Sequence, residues 1–200
     1  MNREKTRPSI ASANPAAPNG HGGLIVWFTG LSGAGKTTLA KAVERGLLER
    51  GFRTFIIDGD VLRAGLCSDL GFSEADRHEN IRRAGAVAAM MAQAGSICLA
   101  ALISPFREDR DKARALAPSG CFLEVFVNAP LAVCEQRDVK GLYRRARANE
   151  IPNFTGVSSP YEPPKSPEVE VHTDLLTVEQ SAVLVLEAVE ERLRVLSISV

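Results

Sequence analysis

The segment Gly30-Leu-Ser-Gly-Ala-Gly-Lys-Thr37 constrains this chain more than any other. It comes directly after the apolar, β-branched run Leu24 to Thr29 and opens a stretch of helical periodicity. It fits G-x-x-x-x-G-K-[ST], and a strand, a glycine-rich turn and a helix in that order are the context in which backbone N–H groups converge on a phosphate chain. Glycines let successive amides point inward, the helix N-terminus adds partial positive charge, Lys36 bridges phosphate oxygens and the Thr37 hydroxyl reaches Mg²⁺. Gly30, Leu31, Ser32, Gly33, Ala34, Gly35, Lys36, Thr37 and Thr38 are therefore the expected ATP-binding residues, with Thr37 a metal ligand. A glycine-rich turn with an incidental lysine is the alternative. Nucleoside-triphosphate binding is implied by the motif, but its use is not, because kinases, GTPases, motor ATPases and inert nucleotide-binding modules share it.

Runs resembling the first strand recur at Thr54 to Asp58, Ile97 to Ile103, Phe122 to Val127 and Val169 to Thr173. Helical spacing of apolar residues appears over Thr37 to Glu49, Glu74 to Ala94 and Thr177 to Leu196, the last with Thr177 and Gln180 placed as a capping box. Strands alternating with helices predict an α/β fold, a parallel sheet with helices on both faces. At 200 residues the chain is one domain. Residues 1–23, rich in Pro and Gly, are expected to form a mobile N-terminal arm and residues 24–200 the single domain.

Twenty-four Lys and Arg balance twenty-four Asp and Glu, so composition exerts no general pull toward nucleic acid or anionic membrane. The longest apolar stretch, Ala84 to Ala94, is too short to span a bilayer, and no apolar core comes after Arg3, Lys5 and Arg7 as a secretory signal would require. Cys67, Cys98, Cys121 and Cys134 form no C-x-x-C pair, which predicts a reduced, cytoplasmic protein. His21, His78 and His172 have no metal-like spacing.

Residues downstream of the phosphate loop narrow its use. There is no N-K-x-D for guanine, and neither Ile97 to Ile103 nor Phe122 to Asn128 ends in the paired acids of a motor ATPase. The second strand instead runs into Asp58-Gly-Asp60-Val-Leu-Arg63, which sets two carboxylates and a guanidinium beside the phosphate loop. That is the layout of a small-molecule kinase: one carboxylate orients or deprotonates an acceptor hydroxyl or organises Mg²⁺ waters, and Arg63 holds an anionic acceptor. The alternative makes Asp58 and Asp60 turn and cap residues with Arg63 their partner. Arg137, Lys140, Arg144, Arg145 and Arg147 stand against the single acid Asp138, and a proline-rich loop from Ile151 to Pro167 comes next. Residues of about 137–167 are expected to form a basic lid.

Several blocks together resemble the adenylylsulfate kinase family over roughly residues 24–174. They are Trp27-Phe-Thr-Gly-Leu-Ser-Gly-Ala-Gly-Lys-Thr, Asp58-Gly-Asp-Val-Leu-Arg63, Leu70-Gly-Phe-Ser73, Asp76-Arg-His-Glu-Asn-Ile-Arg-Arg83, Ile103-Ser-Pro-Phe-Arg107, Cys134-Glu-Gln-Arg-Asp-Val-Lys-Gly-Leu-Tyr143 and Asn153-Phe-Thr-Gly156. The resemblance implies a three-layer P-loop kinase fold with a five-stranded sheet ordered 2-3-1-4-5. It implies ATP and Mg²⁺ as cofactors and transfer of the γ-phosphoryl to the 3′-hydroxyl of adenosine 5′-phosphosulfate in sulfate activation. It also implies a homodimer, with ATP sulfurylase as a possible associate.

Carried onto this sequence, the resemblance places the acceptor against Asp60, Arg63, Phe72, Arg77, Asn80, Ile103, Ser104, Lys140, Asn153 and Phe154. Lys36, Asp60 and Ser104 become the catalytic candidates, with Thr37 and Asp60 at the metal and Arg137 stacked on the ATP adenine. Residue chemistry agrees: a purine wants aromatic faces such as Phe72 and Phe154, and a phosphosulfate wants Arg63, Arg77 and Asn80. For Ser104, acceptor positioning, a phosphoserine intermediate and a backbone-bonded hydroxyl remain open. Val157-Ser158 departs from the Ile-Asp common in the family's lid loop, as do Asn128 and Cys67 at their positions. Two other readings remain: another small-acceptor kinase, for shikimate or gluconate, and a regulatory nucleotide-binding module without turnover.

Overall fold

The computed structural model describes residues 23–198. The expected mobile arm, His21 and the last two residues lie outside that span, apart from Gly23. Five parallel strands form one sheet: β1 Leu24–Thr29, β2 Thr54–Asp58, β3 Ile97–Ala101, β4 Phe122–Asn128 and β5 Val169–His172. Their order is β2-β3-β1-β4-β5, which matches the implied 2-3-1-4-5. Every residue of β1 is buried, because this strand has a neighbour on each edge and helices on each face. Unbroken apolar sequence is what such a position demands.

Side-chain alternation along β1 divides the core in two. Leu24, Val26 and Phe28 pack with Leu39, Val43 and Leu47 of α1 (Lys36–Glu49) and with Val185, Val189 and Leu193 of a long C-terminal helix, Val178–Ile198. Ile25 and Trp27 face the other way, onto Ile81, Ala84 and Ala88 of the helix Glu74–Gln93 and Ala113 of Arg107–Leu116. The result is three layers, helices over a sheet over helices. In chain order the remaining helices make α2 Gly59–Ala64, α3 Glu74–Gln93, α4 Arg107–Leu116, α5 Leu131–Arg137, α6 Leu142–Arg147 and α7 Val178–Ile198. Thr177 and Gln180 make the reciprocal capping box, each accepting from the other's backbone N–H at 3.2 and 2.9 Å.

The sequence expectations differ from the structure in five places. β3 stops at Ala101, so Ile103 and Ser104 stand beyond the strand, and Ser104 has a left-handed backbone with φ 41°. β4 runs one residue further, to Asn128, and β5 one residue less, to His172. Helix α4 carries no apolar stripe because the face it buries consists of Asp109, Arg110 and Ala113. The basic stretch 137–147 is two helices, broken where Asp138 accepts from the N–H groups of Tyr143 and Arg144, both at 3.0 Å. The one acid in the cluster thus does capping work for α6.

Candidate active site

Because the strands are parallel, their carboxyl ends share one edge, and β1 is flanked there by β3 on one side and β4 on the other. Open α/β sheets bind ligands in the crevice where the strand order reverses in this way. The turn Gly30–Gly35 occupies it. Gly30 and Gly33 hold φ of 151° and 75°, and a Cβ on them would stand 2.4 Å from the Val127 carbonyl oxygen and 2.9 Å from that of Cys134. Only glycine fits both the dihedral and the space.

Lys36 is buried under the turn and donates to the carbonyls of Gly30 at 3.0 Å and Leu31 at 2.7 Å. Burial pushes its ammonium pKa down to about 8, with the nearby Lys140 charge acting in the same direction. Leu31, Ser32, Gly33, Ala34 and Gly35 complete the loop, and Thr38 is exposed at the start of α1. Three residues brace it from outside. Tyr143 of α6 donates its hydroxyl to the Ser32 carbonyl at 2.9 Å, and Thr173 donates to Ala34 O at 2.8 Å. Arg137 donates to Gly33 O at 3.3 Å and Thr173 O at 2.6 Å. Arg137 therefore lies at the loop, with both terminal nitrogens engaged by Gly33 and Thr173. Tyr143 and Thr173 carry no sequence signal for this task, since the contacts join residues more than 100 positions apart.

The two acids at the end of β2 separate into different roles. Asp58 accepts the Thr37 hydroxyl at 2.7 Å and caps α2 through the Asp60 N–H at 2.9 Å. Burial works to raise its pKa, but the Thr37 hydroxyl, the Asp60 and Val61 amides and the Lys140 charge outweigh it, so the carboxyl stays below its ordinary value. Asp60 is 72% exposed and paired with Lys140, which lies between α5 and α6. Sequence reasoning gave the metal role to Thr37 with Asp60. The carboxylate bonded to Thr37 is that of Asp58.

Arg63, at the end of α2, donates to Gly71 O at 2.7 Å and lies over the Phe72 ring at 4.3 Å. Arg77, on α3, donates to Phe72 O at 3.1 Å, to Asn153 O at 2.5 Å and to Thr155 Oγ1 at 2.7 Å. One guanidinium thus ties together the two loops that carry the expected aromatic faces. Phe72 is exposed, whereas Phe154 is 8% exposed and sits edge-on to Tyr143 at 5.0 Å within the core. Asn80 is buried with its Oδ1 unpartnered, and Ile103 is half-buried.

Ser104 does not open toward this space. It is 1% exposed and its Oγ accepts the Trp27 indole N–H at 3.1 Å, on the α3 and α4 side of the sheet. The hydroxyl is bonded to a side chain, the Trp27 indole, and not to backbone as the third of its open alternatives had it. Among the described residues no cluster of His, Cys, Asp and Glu could hold a metal ion by itself, and no helix is long and apolar enough to cross a membrane.

A parallel sheet with this strand order, a glycine turn opening α1, a buried loop lysine and the Arg137 and Tyr143 braces against the turn define a P-loop phosphotransferase. The adenylylsulphate kinase family model matches residues 22–172. The chain is 56% identical to the adenylyl-sulfate kinase of Acaryochloris marina over 186 residues, 93% of this chain and 91% of that one. It is 59% identical to that of Geotalea daltonii over 174 residues, 87% and 86% of the two chains. The Mycobacterium tuberculosis APS kinase solved in complex with AMPPNP and APS superposes with a TM-score of 0.81 at 47% identity, covering 85% of this chain and 99% of that one. The chain belongs to the adenylylsulphate kinase family. A gluconokinase from Sinorhizobium meliloti, at 18% identity and a TM-score of 0.59, shares the fold alone.

Proposed function

We propose that this protein transfers the γ-phosphoryl of ATP to the 3′-hydroxyl of adenosine 5′-phosphosulfate, giving 3′-phosphoadenylyl sulfate. The observation that carries this is the Arg77 bridge, which ties the Phe72 loop to the 153–155 loop; we read these two loops, with Arg63 and Asn80, as the acceptor site. The similarity to a kinase solved with APS supports the same acceptor. A module without turnover shares the phosphate lysine but has no need of a second carboxylate such as Asp60, which stands exposed beside Asp58 and paired with Lys140.

The turn amides and Lys36 hold the β- and γ-phosphates, and Arg137 supports the adenine end. Thr37 and Asp58 offer hard oxygen donors 2.7 Å apart, which suits Mg²⁺ and its waters; bound there, the ion neutralises charge on the transferring group. Asp60 orients the acceptor hydroxyl and takes its proton, and Lys140 exchanges its contact with Asp60 for the acceptor's phosphosulfate as the lid settles. Phe72 provides a ring face for the acceptor purine. Phe154 supports the loop from within the core, Asn80 offers its free carbonyl oxygen to the acceptor, and Ile103 and the Asn153 loop line the pocket. Ser104 acts by holding backbone, with no covalent stop in the transfer.

The protein works as a cytoplasmic homodimer, with ATP sulfurylase as a supplier of acceptor. A hexameric APS kinase from Thiobacillus denitrificans, of which this chain covers 29%, is an oligomeric relative at 33% identity. Coupled ADP release tests the activity: turnover with adenylyl sulfate and none with gluconate or shikimate is expected. ADP release that ignores adenylyl sulfate would overturn it.

A further inference from the structure

Arg110 is the one strongly buried cation of the described residues outside the phosphate turn, at 2% exposure, and no step of the phosphoryl transfer uses it. Its guanidinium reaches three separate pieces of chain. Nε donates to Glu124 of β4 at 2.7 Å, one terminal nitrogen to Ser104 O at 2.6 Å and the other to Glu162 O at 2.8 Å. Ser104 belongs to the bend after β3 whose half-buried neighbour Ile103 lines the acceptor pocket in the proposed function, and Glu162 belongs to the segment by which the proposed lid returns to the sheet.

The bend it holds is strained. A non-glycine residue at φ 41° is uncommon, and such a conformation persists only where its surroundings over-determine it. Here the Trp27 indole fixes the side chain, Thr29 Oγ1 donates to Ile103 O at 2.8 Å and Arg110 takes the Ser104 carbonyl. With its proton given to Ile103 O, Thr29 accepts from the Tyr161 phenol at 3.0 Å, so the lid return is stitched to the same bend a second time. Glu162 adds a third link, its N–H donating to Pro105 O at 2.8 Å and its carboxylate accepting from the Arg107 N–H at 2.9 Å.

We infer that Arg110 is a positioning residue for the acceptor: it locks the Ile103–Ser104 bend and the lid return into one unit, so that the pocket wall and the lid keep their register. The inference rests on adenosine 5′-phosphosulfate being the acceptor. Five donors in a planar fork suit three divergent targets, which a lysine's single nitrogen cannot span.

Three variants test it. Arg110→Met leaves the buried Glu124 carboxylate with only the more distant Arg114, at 3.6 Å, and is expected to lose stability for that reason alone. Arg110→Lys retains the positive charge beside Glu124, and Arg110→Met with Glu124→Met removes both charges, so each should regain much of the lost thermal stability. In these two folded variants the KM for adenylyl sulfate should still rise by about tenfold, a change in binding rather than in fold, while the KM for ATP stays within about twofold. An acceptor KM that recovers together with Tm would assign Arg110 a purely structural role, and equal rises for both nucleotides would remove the acceptor-specific effect. Wild-type turnover with adenylyl sulfate, measured first, tests the activity by itself. The KM comparison then tests only the bend.

Discussion

Replacing Lys36 by methionine should change how folding stability depends on pH, in a direction opposite to that of an ordinary surface lysine pair. Burial holds the ammonium pKa at about 8, against 10.5 for the free side chain. Between those values the unfolded chain binds the proton and the folded one releases it, so stability contributed by this group rises with pH across the window. Below pH 8 the full penalty of a buried charge is present, and above 10.5 it is gone. At about 1.4 kcal/mol per pKa unit the penalty is on the order of 3 kcal/mol. Urea unfolding of both proteins at about pH 7.5 and about pH 10 provides the measurement. Stability of the unaltered protein minus that of the variant should grow by about 2 to 3 kcal/mol over that range. Effects of the raised thiols and phenols are largely shared by the two proteins and drop out of the difference. A difference that stays flat would refute a buried, depressed lysine. The variant should also lose turnover, since the same amine meets the phosphates. At about pH 9, ATP binding should take up close to one proton, visible as a heat that varies with buffer ionisation enthalpy, because the phosphate charge restores the ammonium.

The two phenylalanines should separate in kind. Phe154→Ala, deep in the core beside Tyr143, should cost about 3 kcal/mol or more of stability in chemical denaturation. Phe72→Ala, on an exposed ring, should leave the denaturation midpoint nearly unmoved and raise the KM for adenylyl sulfate; an unchanged KM would deny its contact with the purine. Asp58→Asn should lower kcat by about a hundredfold and shift the Mg²⁺ dependence to higher concentration, by weakening the acceptor of the Thr37 hydroxyl. An unaltered Mg²⁺ titration would return the metal role to Asp60. Gly33→Ala, with φ 75° and only 2.9 Å to the Cys134 carbonyl oxygen, should weaken ATP binding while leaving adenylyl sulfate binding close to normal, as read by calorimetry.

Strand, turn and helix were legible in the chain itself wherever the information is local. An apolar run leading into glycines, lysine and threonine dictates all three between Leu24 and Thr37, and the Thr177–Gln180 box needs only a single helical turn. The five strands were likewise visible as short runs, with their ends misjudged by one or two residues: Leu102 and Ile103 beyond β3 are as apolar as the strand, while polar Asn128 belongs to β4 through its pairing with His172 and Thr173 falls outside β5. Contacts across long separations were not legible. Helix α4 hid because its buried face is largely ionic, and the partners of that face, His78 for Asp109 and Glu124 with two carbonyls for Arg110, come from other segments. Composition alone could not say that Asp58 takes the Thr37 hydroxyl and leaves Asp60 to Lys140, since both acids lie in one tripeptide and only the cap of α2 turns them apart. Nor could it place Phe154 in the core and Phe72 outside it, or turn the Ser104 hydroxyl to Trp27. The side-chain types needed for phosphoryl transfer are set by sequence; their partners are set by the tertiary fold, because a hydrogen bond depends on which distant backbone arrives within about 3 Å.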